Sequence, residues 1–579
     1  MGKEGKTVTG AEILMEQLIH QGVDTIFGYP GGQIMPTYDK LAGYRDRIRH
    51  ILVRHEQGAI HAAQGYARTR SFPGVVLVTS GPGATNVITG VADALIDSTP
   101  VIVIAGQVGT AFLGTDAFQE TDLIGMTTPI SKWAFQIRRP EDVAWAVARA
   151  FYIASTGRPG PVVLDFTRDA QIGTCEYHPQ ECCFIRSYIP DPAIDRDSID
   201  KAVGMIDASE RPFVVYGQGI LQSRAEKELA AFLEKADCPA GSTLLGLSAL
   251  DSSNPHYMGM LGMHGNIAPN YLTQHCDLLI AVGMRFDDRV TGKLNTYAKQ
   301  AKIIHIDIDE AEIGKNVPVT LGVLGDARKV LGILTGRIRQ KDCSGWMASA
   351  ESCILTEKAK VIDPEINPVS GEINPGEVIA AIAKATSGEA IIVTDVGQNQ
   401  MLGARYSSFC HTRSFVTSGG LGTMGFGLPA AIGAKTGSPD RVVCAIVGDG
   451  GLQMTIEEFG TILQEQVGVK IVLLNNNWLG NVRQWQELFH HKVFSETRMI
   501  NPDFCAVAAA YGIDSVLVEK REDLGPAIER MLSNDRPFLL NVHTKEENMV
   551  FPMIPPGKSV DEILVNNNEW FEYGKGETL

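Results

Sequence analysis

What this 579-residue chain lacks narrows its chemistry first. Its ten cysteines include no Cys-x-x-Cys pair, and Cys182 and Cys183 are adjacent, so neither a zinc site nor a disulfide framework is expected. No cluster of Lys and Arg longer than a few residues interrupts a formal net charge of -16, which removes the basic stripe that a nucleic-acid surface requires. An anionic ligand must therefore be held by local devices. No window reaches about eighteen apolar residues, and no basic segment leads into an apolar run at the start, so neither a membrane span nor an export signal is expected. A reducing cytoplasmic compartment is the expectation.

What is present is an ordinary globular composition, 44% hydrophobic and 20% charged, over a length that exceeds one core. Near the start, Thr9 and Glu12 have capping-box spacing ahead of an apolar face of Ala11, Leu14, Met15 and Leu18, with Gly22 as terminator. Further on, short apolar runs such as GVVLVTS, VIVIAG, PVVLDF, FVVYG, LLIAVG, IIHIDID, AIIVTDVG, VVCAIVGDG and VKIVLLNN alternate with amphipathic stretches. This is the pattern of parallel strands covered by helices on both faces, and it predicts an α/β fold. Proline-bearing, aperiodic segments near 172–195 and 360–377 predict boundaries, giving domains at 1–185, 190–360 and 372–579.

The stretch from Gly448 to Asn477 carries an aspartate between glycines at one end and three asparagines at the other. RVVCAIVGDG predicts a buried strand ending in a turn, which puts Asp449 at the carboxyl edge of a parallel sheet, where such sheets bind ligands. TIEEFGTILQEQ predicts a helix with Thr455 as cap and Glu458 three residues on, and VKIVLLNNN a strand ending at the same edge. Asp449 and Asn476 should therefore meet. A carboxylate beside an amide oxygen and spare backbone carbonyls suits Mg2+ rather than zinc. The alternative is a helix-capping aspartate and a β-turn of asparagines. Gly420, Gly422 and Gly425 have the spacing of a dinucleotide fingerprint, a weak signal when taken alone.

GDG, a helix, a strand and then NN resemble the motif of thiamine-diphosphate enzymes. YPGGQIMP, SGPGATN, GTDAFQETD, GRPGPVVLD, GMLGMHG, RFDDRVTGK, HIDID and VRQWQ narrow the resemblance to the acetohydroxyacid (acetolactate) synthase catalytic-subunit family, over about residues 7–560. The resemblance implies that Asp449, Asn476 and the Trp478 carbonyl hold Mg2+ against the coenzyme's diphosphate. Gly448, Gly450, Gly451, Leu479 and Gly480 would border that group, with Gln398 and Asn399 beside it. Gly422 and Met424 would lie under the bent coenzyme. Glu56, in VRHEQGAIHAAQGYAR, would hydrogen-bond the aminopyrimidine ring and relay its proton.

Gly32, Phe118 and Gln119 would stand near the reacting carbon, opposite Met424. Trp485 and Arg289 would choose the second 2-ketoacid. An FAD without redox function would lie along the middle domain, with Arg158 near its diphosphate. Gly217, Gly219, Met263, His264 and Gly265 would line it. Gly283, Arg285, Asp287, Asp307, Ile308 and Asp326 would complete that lining. The implied reaction is decarboxylation of pyruvate and transfer of its two-carbon remainder to pyruvate or 2-ketobutyrate. A homodimer or homotetramer with sites between subunits is implied, as is a separate small regulatory subunit.

Some positions depart from the family pattern. Trp478 replaces a histidine or small residue, Asn399 a frequent histidine, Arg168 a lysine, and Asn481 and Arg483 residues that are more often apolar. Without the resemblance, Phe118 and Trp485 read as core aromatics, Met424 as a core filler, and Arg289 as a surface partner of Asp287 or Asp288. A flavin oxidoreductase resembling pyruvate oxidase and a non-catalytic binding subunit are the competing functions. FPMIPPGKSVDEIL resembles the family's C-terminal arm.

Overall fold

Apolar strands pair in parallel when helices can cover both faces, and the chain does this three times in the computed structural model, which describes residues 5–572. Residues 1–4 and 573–579, at the outer limits of the first and third expected domains, lie outside it. The first six-stranded sheet runs Arg49–Leu52, Thr25–Gly28, Gly74–Val78, Val101–Gln107, Val162–Thr167, Trp133–Ile137. The third runs Phe415–Val416, Ile391–Thr394, Val443–Gly448, Lys470–Asn475, Phe538–His543, Asp514–Val518. Ranked by chain position, both have the order 2-1-3-4-6-5 and every pairing is parallel. The two sheets are topological duplicates.

The middle sheet differs. Tyr257–Met260, Ala240–Ser242, Pro212–Tyr216, Leu278–Val282, Lys302–Asp307 and Leu321–Leu324 follow the order 3-2-1-4-5-6, also parallel throughout. That is the doubly wound dinucleotide-binding order, whose ligand crevice opens where the order reverses, between the Pro212–Tyr216 and Leu278–Val282 strands. In the duplicated sheets the reversal falls between the first and third strands in chain order.

Local chemistry explains most elements. Thr9 and Glu12 form the expected capping box on the Gly10–His20 helix, with Glu12 N donating to Thr9 Oγ1 at 3.3 Å and Thr9 N to Glu12 Oε2 at 3.2 Å. Its buried face includes Ala11, Leu14, Met15 and Leu18. The two aperiodic segments are more ordered than expected. In the first, Thr174–Glu176 pairs antiparallel with Thr7–Thr9. In the second, a π-helical turn at Lys358–Ile362 continues into helix Asp363–Ile366. Pro364 lies just after that turn and does not end the helix, which runs on to Ile366.

The first and third domains grip each other through small residues. On the Gly427–Gly437 helix, a β-carbon at Gly433 would lie 1.8 Å from the Ala62 carbonyl oxygen on the Glu56–Arg70 helix. At Gly65 it would lie 1.9 Å from that of Ala430. Gly433→Ala should therefore destabilise the protein by about 1–3 kcal/mol, because the crossing has no room for a methyl group. Gly204→Ala, in the Arg196–Ala208 helix with nothing within 4 Å, should stabilise it by about 0.5–1 kcal/mol. Urea midpoints of the two variants should move in opposite directions.

Candidate cofactor site

The expected meeting of strand tips occurs. Val443–Gly448 and Lys470–Asn475 are adjacent parallel strands with Gly448 opposite Leu474, so both chains leave the sheet at one edge. Asp449 opens the Asp449–Gln453 helix at 1% exposure, and its Oδ2 accepts from Asn477 N at 2.8 Å. Asn501, which the sequence reading missed, donates to Asp449 Oδ2 at 2.7 Å, Asn475 Oδ1 at 2.9 Å and Asn477 Oδ1 at 3.2 Å. It lies in an irregular segment between helices, where a lone asparagine gives no periodic signal. Asn476 Oδ1 accepts from Trp478 N at 3.2 Å. The Trp478 indole is fixed by Arg483 and Arg498 over its ring and by its Nε1 donating to Glu546 at 3.2 Å.

Burial pushes the Asp449 carboxyl above its ordinary range, and the influences opposing this are hydrogen bonds from the Asn501 amide and from backbone N–H groups, not cations. A buried carboxylate held only by neutral donors is what a divalent cation would complete. Glycines around it let three segments converge. A β-carbon at Gly450 would stand 2.6 Å from Leu479 Cδ2 and 3.6 Å from Met424 Cε, and one at Gly448 3.4 Å from Asn399 Nδ2. At Gly480 it would meet Gln398 Oε1 at 2.2 Å, and at Gly451 Asp395 Oδ1 at 2.2 Å. Asn399 Oδ1 is buried and unpartnered beside this cradle. Asp395, also missed, accepts from Gly425 N at 3.0 Å and Gly427 N at 2.8 Å. The fingerprint-like glycines thus shape a loop around Asp395 and Met424, not a Rossmann turn.

Glu56 begins its helix directly after the Arg49–Leu52 strand segment, where the helix dipole favours a carboxylate, and its Oε2 accepts from Asn86 Nδ2 at 2.9 Å. The expected cap at Thr455 is a correction. Its hydroxyl instead donates to the Gly425 carbonyl at 2.9 Å, and a 3-10 turn, Ile456–Glu458, precedes helix Phe459–Glu465. Glu458 reaches the first domain, accepting from Arg54 N and His55 N at 3.1 Å, just before Glu56. Gly32 and Gln119 meet, with a Gly32 β-carbon 4.0 Å from Gln119 Oε1, and Arg168 Nη1 donates to the Gly32 carbonyl at 3.3 Å. Phe118 is no core aromatic, being 84% exposed.

At the middle sheet's reversal point lies a cavity of about 1470 Å³. Its wall includes Arg158, Gly217, Gly219, Met263, His264 and Gly283, together with Arg285, Asp287, Asp307, Ile308 and Asp326. Arg289 continues that wall, and Gly422, Asn481 and Trp485 extend it into the third domain's territory. Glycines 217, 219 and 283 pack against one another, since a β-carbon at Gly217 would lie 2.4 Å from the Gly283 carbonyl oxygen and one at Gly219 2.5 Å from Gly283 Cα. Gly265 is outside the wall. A side chain there would strike the Met260 carbonyl oxygen at 2.5 Å, so its role is in the turn.

Both ring nitrogens of His264, Trp485 Nε1 and Asn481 Oδ1 are buried along this wall without hydrogen-bond partners. Burial, aided by Arg405 and Arg289, pushes His264 down to about 3, so it faces the cavity as a neutral ring. Asp307 ends its strand and burial pushes it up to about 6. Arg158 is already paired with Glu312 at 2.7 Å and Asp309 at 3.2 Å. Asp287 and Asp326 cap helices, Asp288–Thr291 and Ala327–Arg337. Arg289 stands over the Trp485 ring at 5.8 Å and also pairs with Asp288 at 3.5 Å, the surface partner the bare sequence suggests. Arg483 instead turns into a buried pair with Glu487 at 3.1 Å.

Two duplicated sheets with a buried carboxylate at one reversal point, flanking a dinucleotide-type sheet, define the thiamine-pyrophosphate enzyme class. Family profiles agree: residues 8–126 match the thiamine pyrophosphate enzyme N-terminal TPP binding domain, 199–334 the central domain and 395–542 the C-terminal TPP binding domain. The acetolactate synthase large subunit of Parasynechococcus marenigrum is 43% identical over 566 residues, covering 96% of this chain and 91% of its own length. The acetolactate synthase isozyme 2 large subunit of Escherichia coli is 42% identical over 564 residues, covering 96% and 99%. That of Corynebacterium glutamicum is 41% identical over 567 residues, covering 96% and 90%. The chain belongs to the acetolactate synthase large-subunit family, and its outer domains are thiamine-diphosphate-binding domains. Among the described residues no helix is long and apolar enough to cross a membrane.

Glu458 gives this site a pH signature. Burial pushes its carboxyl up to about 7, against donation from Thr461, Arg54 N and His55 N. The folded state thus binds this proton more tightly than the unfolded chain, whose glutamates titrate near about 4.3. The resulting stabilisation, on the order of 3 kcal/mol, is present below the unfolded value and lost as pH rises through about 7. Glu458→Gln cannot titrate, so its urea midpoint relative to wild type should rise between about pH 5 and pH 8. A gap that is constant across that interval would contradict this reading.

Proposed function

We propose that the protein is the catalytic subunit of an acetolactate synthase, decarboxylating pyruvate and joining the two-carbon remainder to a second 2-ketoacid, pyruvate or 2-ketobutyrate. This is the first common step of valine, leucine and isoleucine biosynthesis. The observation that carries the reading is the convergence of Asp449, Asn476, Gln398, Asn399 and Met424 at one strand edge, beside a cavity whose wall holds the Arg289–Trp485 pair.

The residues fit the cofactors. Asp449, Asn476 and the Trp478 carbonyl form an all-oxygen donor set for Mg2+. The unpartnered polar atoms of His264, Trp485 and Asn481, the strand-end Asp307 and the middle sheet's strand order suit an FAD bound structurally. When bound, thiamine diphosphate supplies the electron sink for decarboxylation. Glu56 would hold and return the proton of the aminopyrimidine ring, Met424 would support the coenzyme, and the glycines of the cradle would leave room for its diphosphate. Gly32 and Gln119 border the reacting carbon. Arg289 receives the second substrate's carboxylate, and packing on the Trp485 indole favours one added methylene by ~1–3 kcal/mol.

Phe118, a large apolar side chain at 84% exposure, supports a homodimer or homotetramer in which a second copy covers it and completes the site. The domain limits proposed are 1–185, 190–360 and 372–579, each enclosing one of the three sheets. A small regulatory subunit and a cytoplasmic location complete the reading, in keeping with relatives named as large subunits.

Purified protein supplied with pyruvate, thiamine diphosphate, Mg2+ and FAD should release acetolactate. Hydrogen peroxide or acetate as the main product would replace this assignment with a pyruvate oxidase-like one. Glu56→Gln should lower kcat by on the order of 100-fold or more while thiamine diphosphate still binds. Undiminished turnover in that variant would remove Glu56 from the proton relay.

A further inference from the structure

Residues 417–424 follow the Phe415–Val416 strand and belong to no helix. Gly419, Gly420, Leu421 and Gly422 line the middle-domain cavity. Met424, two residues on, comes within 3.6 Å of the position a Gly450 side chain would take. One loop therefore forms part of the dinucleotide wall and part of the diphosphate cradle. Three glycines in six residues give it little stiffness of its own.

Gln400 of its own domain donates to the Thr417 hydroxyl at 2.7 Å and the Ser418 carbonyl at 2.9 Å, and the first domain supplies the rest of its support. Gly419 N and Gly420 N donate to the two oxygens of Asp97 at 2.8 and 2.7 Å. The Ser418 hydroxyl donates to Asp93 Oδ1, and Thr423 Oγ1 donates to the same oxygen at 3.0 Å. Arg68 pairs with Asp97 at 2.7 Å and donates to the Thr417 carbonyl. Asp93, Asp97, Arg68 and Ser418 are all buried.

The placement of these carboxylates opposes local stability. Asp93 and Asp97 stand four residues apart at the C-terminal end of the Ile88–Ile96 helix, the negative end of its dipole, so each is unfavourable to the helix and to the other. Their compensation comes from Arg68, the Thr99 hydroxyl that orients it, and the donors of the 417–424 loop.

We propose that Asp93 and Asp97, the latter paired with Arg68, position residues 417–424 as one piece, so that filling the dinucleotide cavity and filling the thiamine diphosphate cradle favour each other through that piece. The inference rests on the cofactor reading above. It makes the two aspartates positioning residues, and it gives a flavin without redox work an effect on the reaction centre. Because coupling is reciprocal, each cofactor must change the affinity of the other by the same factor.

The test titrates the apo full-length protein with thiamine diphosphate at saturating Mg2+, with and without FAD, following intrinsic fluorescence, and then titrates FAD with and without thiamine diphosphate, following flavin fluorescence. In wild type each cofactor should tighten the other by one common factor, on the order of 5-fold or more. In Asp97→Asn, and in the milder double variant Ser418→Ala with Thr423→Ala, that factor should fall towards one while FAD still binds. Independent affinities in wild type, or an unchanged factor in both variants, would overturn the proposal and leave the cofactor reading standing. Wild-type protein that takes up no FAD would overturn both.

Discussion

A carboxylate taken out of water without a cation is penalised by several kcal/mol, and the third sheet does this to Asp449 at the tip of a strand. The geometry that makes it tolerable is backbone geometry. Parallel registration of Val443–Gly448 with Lys470–Asn475 brings Asn477 N to 2.8 Å from the carboxylate, and Asn501 closes the other side. Neutral donors hold the oxygens in place without discharging them, which leaves a negative charge that a small hard cation would complete. The glycines at 448, 450 and 451, the Asp395 bridge to Gly425 and Gly427, and the clamped Trp478 indole all serve that one buried charge.

The parts of this arrangement that were legible in the sequence are those with a local cause. Wholly apolar runs gave the parallel strands, Thr9 and Glu12 gave a cap that forms, and the spacing from Asp449 to Asn476 gave two strand tips at one edge. Thr455 and Glu458 have the spacing of a capping box and form none, since both are drawn into contacts with distant segments: Thr455 with Gly425, Glu458 with the backbone before Glu56.

Asn501, Asp395, Asp93 and Asp97 were illegible for a related reason. Each is a lone polar residue whose partners lie far along the chain, more than three hundred residues away for the Asp97–Gly419 bond. No period of two or 3.6 marks such a residue. The family resemblance named side chains close to the expected cofactors, whereas these four act behind them, on the loops that carry those side chains. Arg158 shows the converse, a residue named by the resemblance that lines the cavity while its guanidinium is already engaged by Glu312 and Asp309.

The strand orders explain why one chain can gather these parts. An open parallel sheet has a crevice only where its strand order reverses, because there the flanking helices leave on opposite faces. The first and third sheets share one order and the middle sheet has another, so the fold supplies three crevices of two kinds. At each, glycines bring loops to a closeness that a side chain would forbid: Gly31 against Thr79 in the first, Gly219 against Gly283 in the middle, Gly451 against Asp395 in the third. A coenzyme with a ring at one end and a diphosphate at the other suits the duplicated pair. A dinucleotide suits the odd one. What the sheets cannot supply is a fixed relation between crevices, and that is set by helix crossings at Gly65 and Gly433 and by carboxylates reaching across domains, Glu458 in one direction and Asp97 in the other.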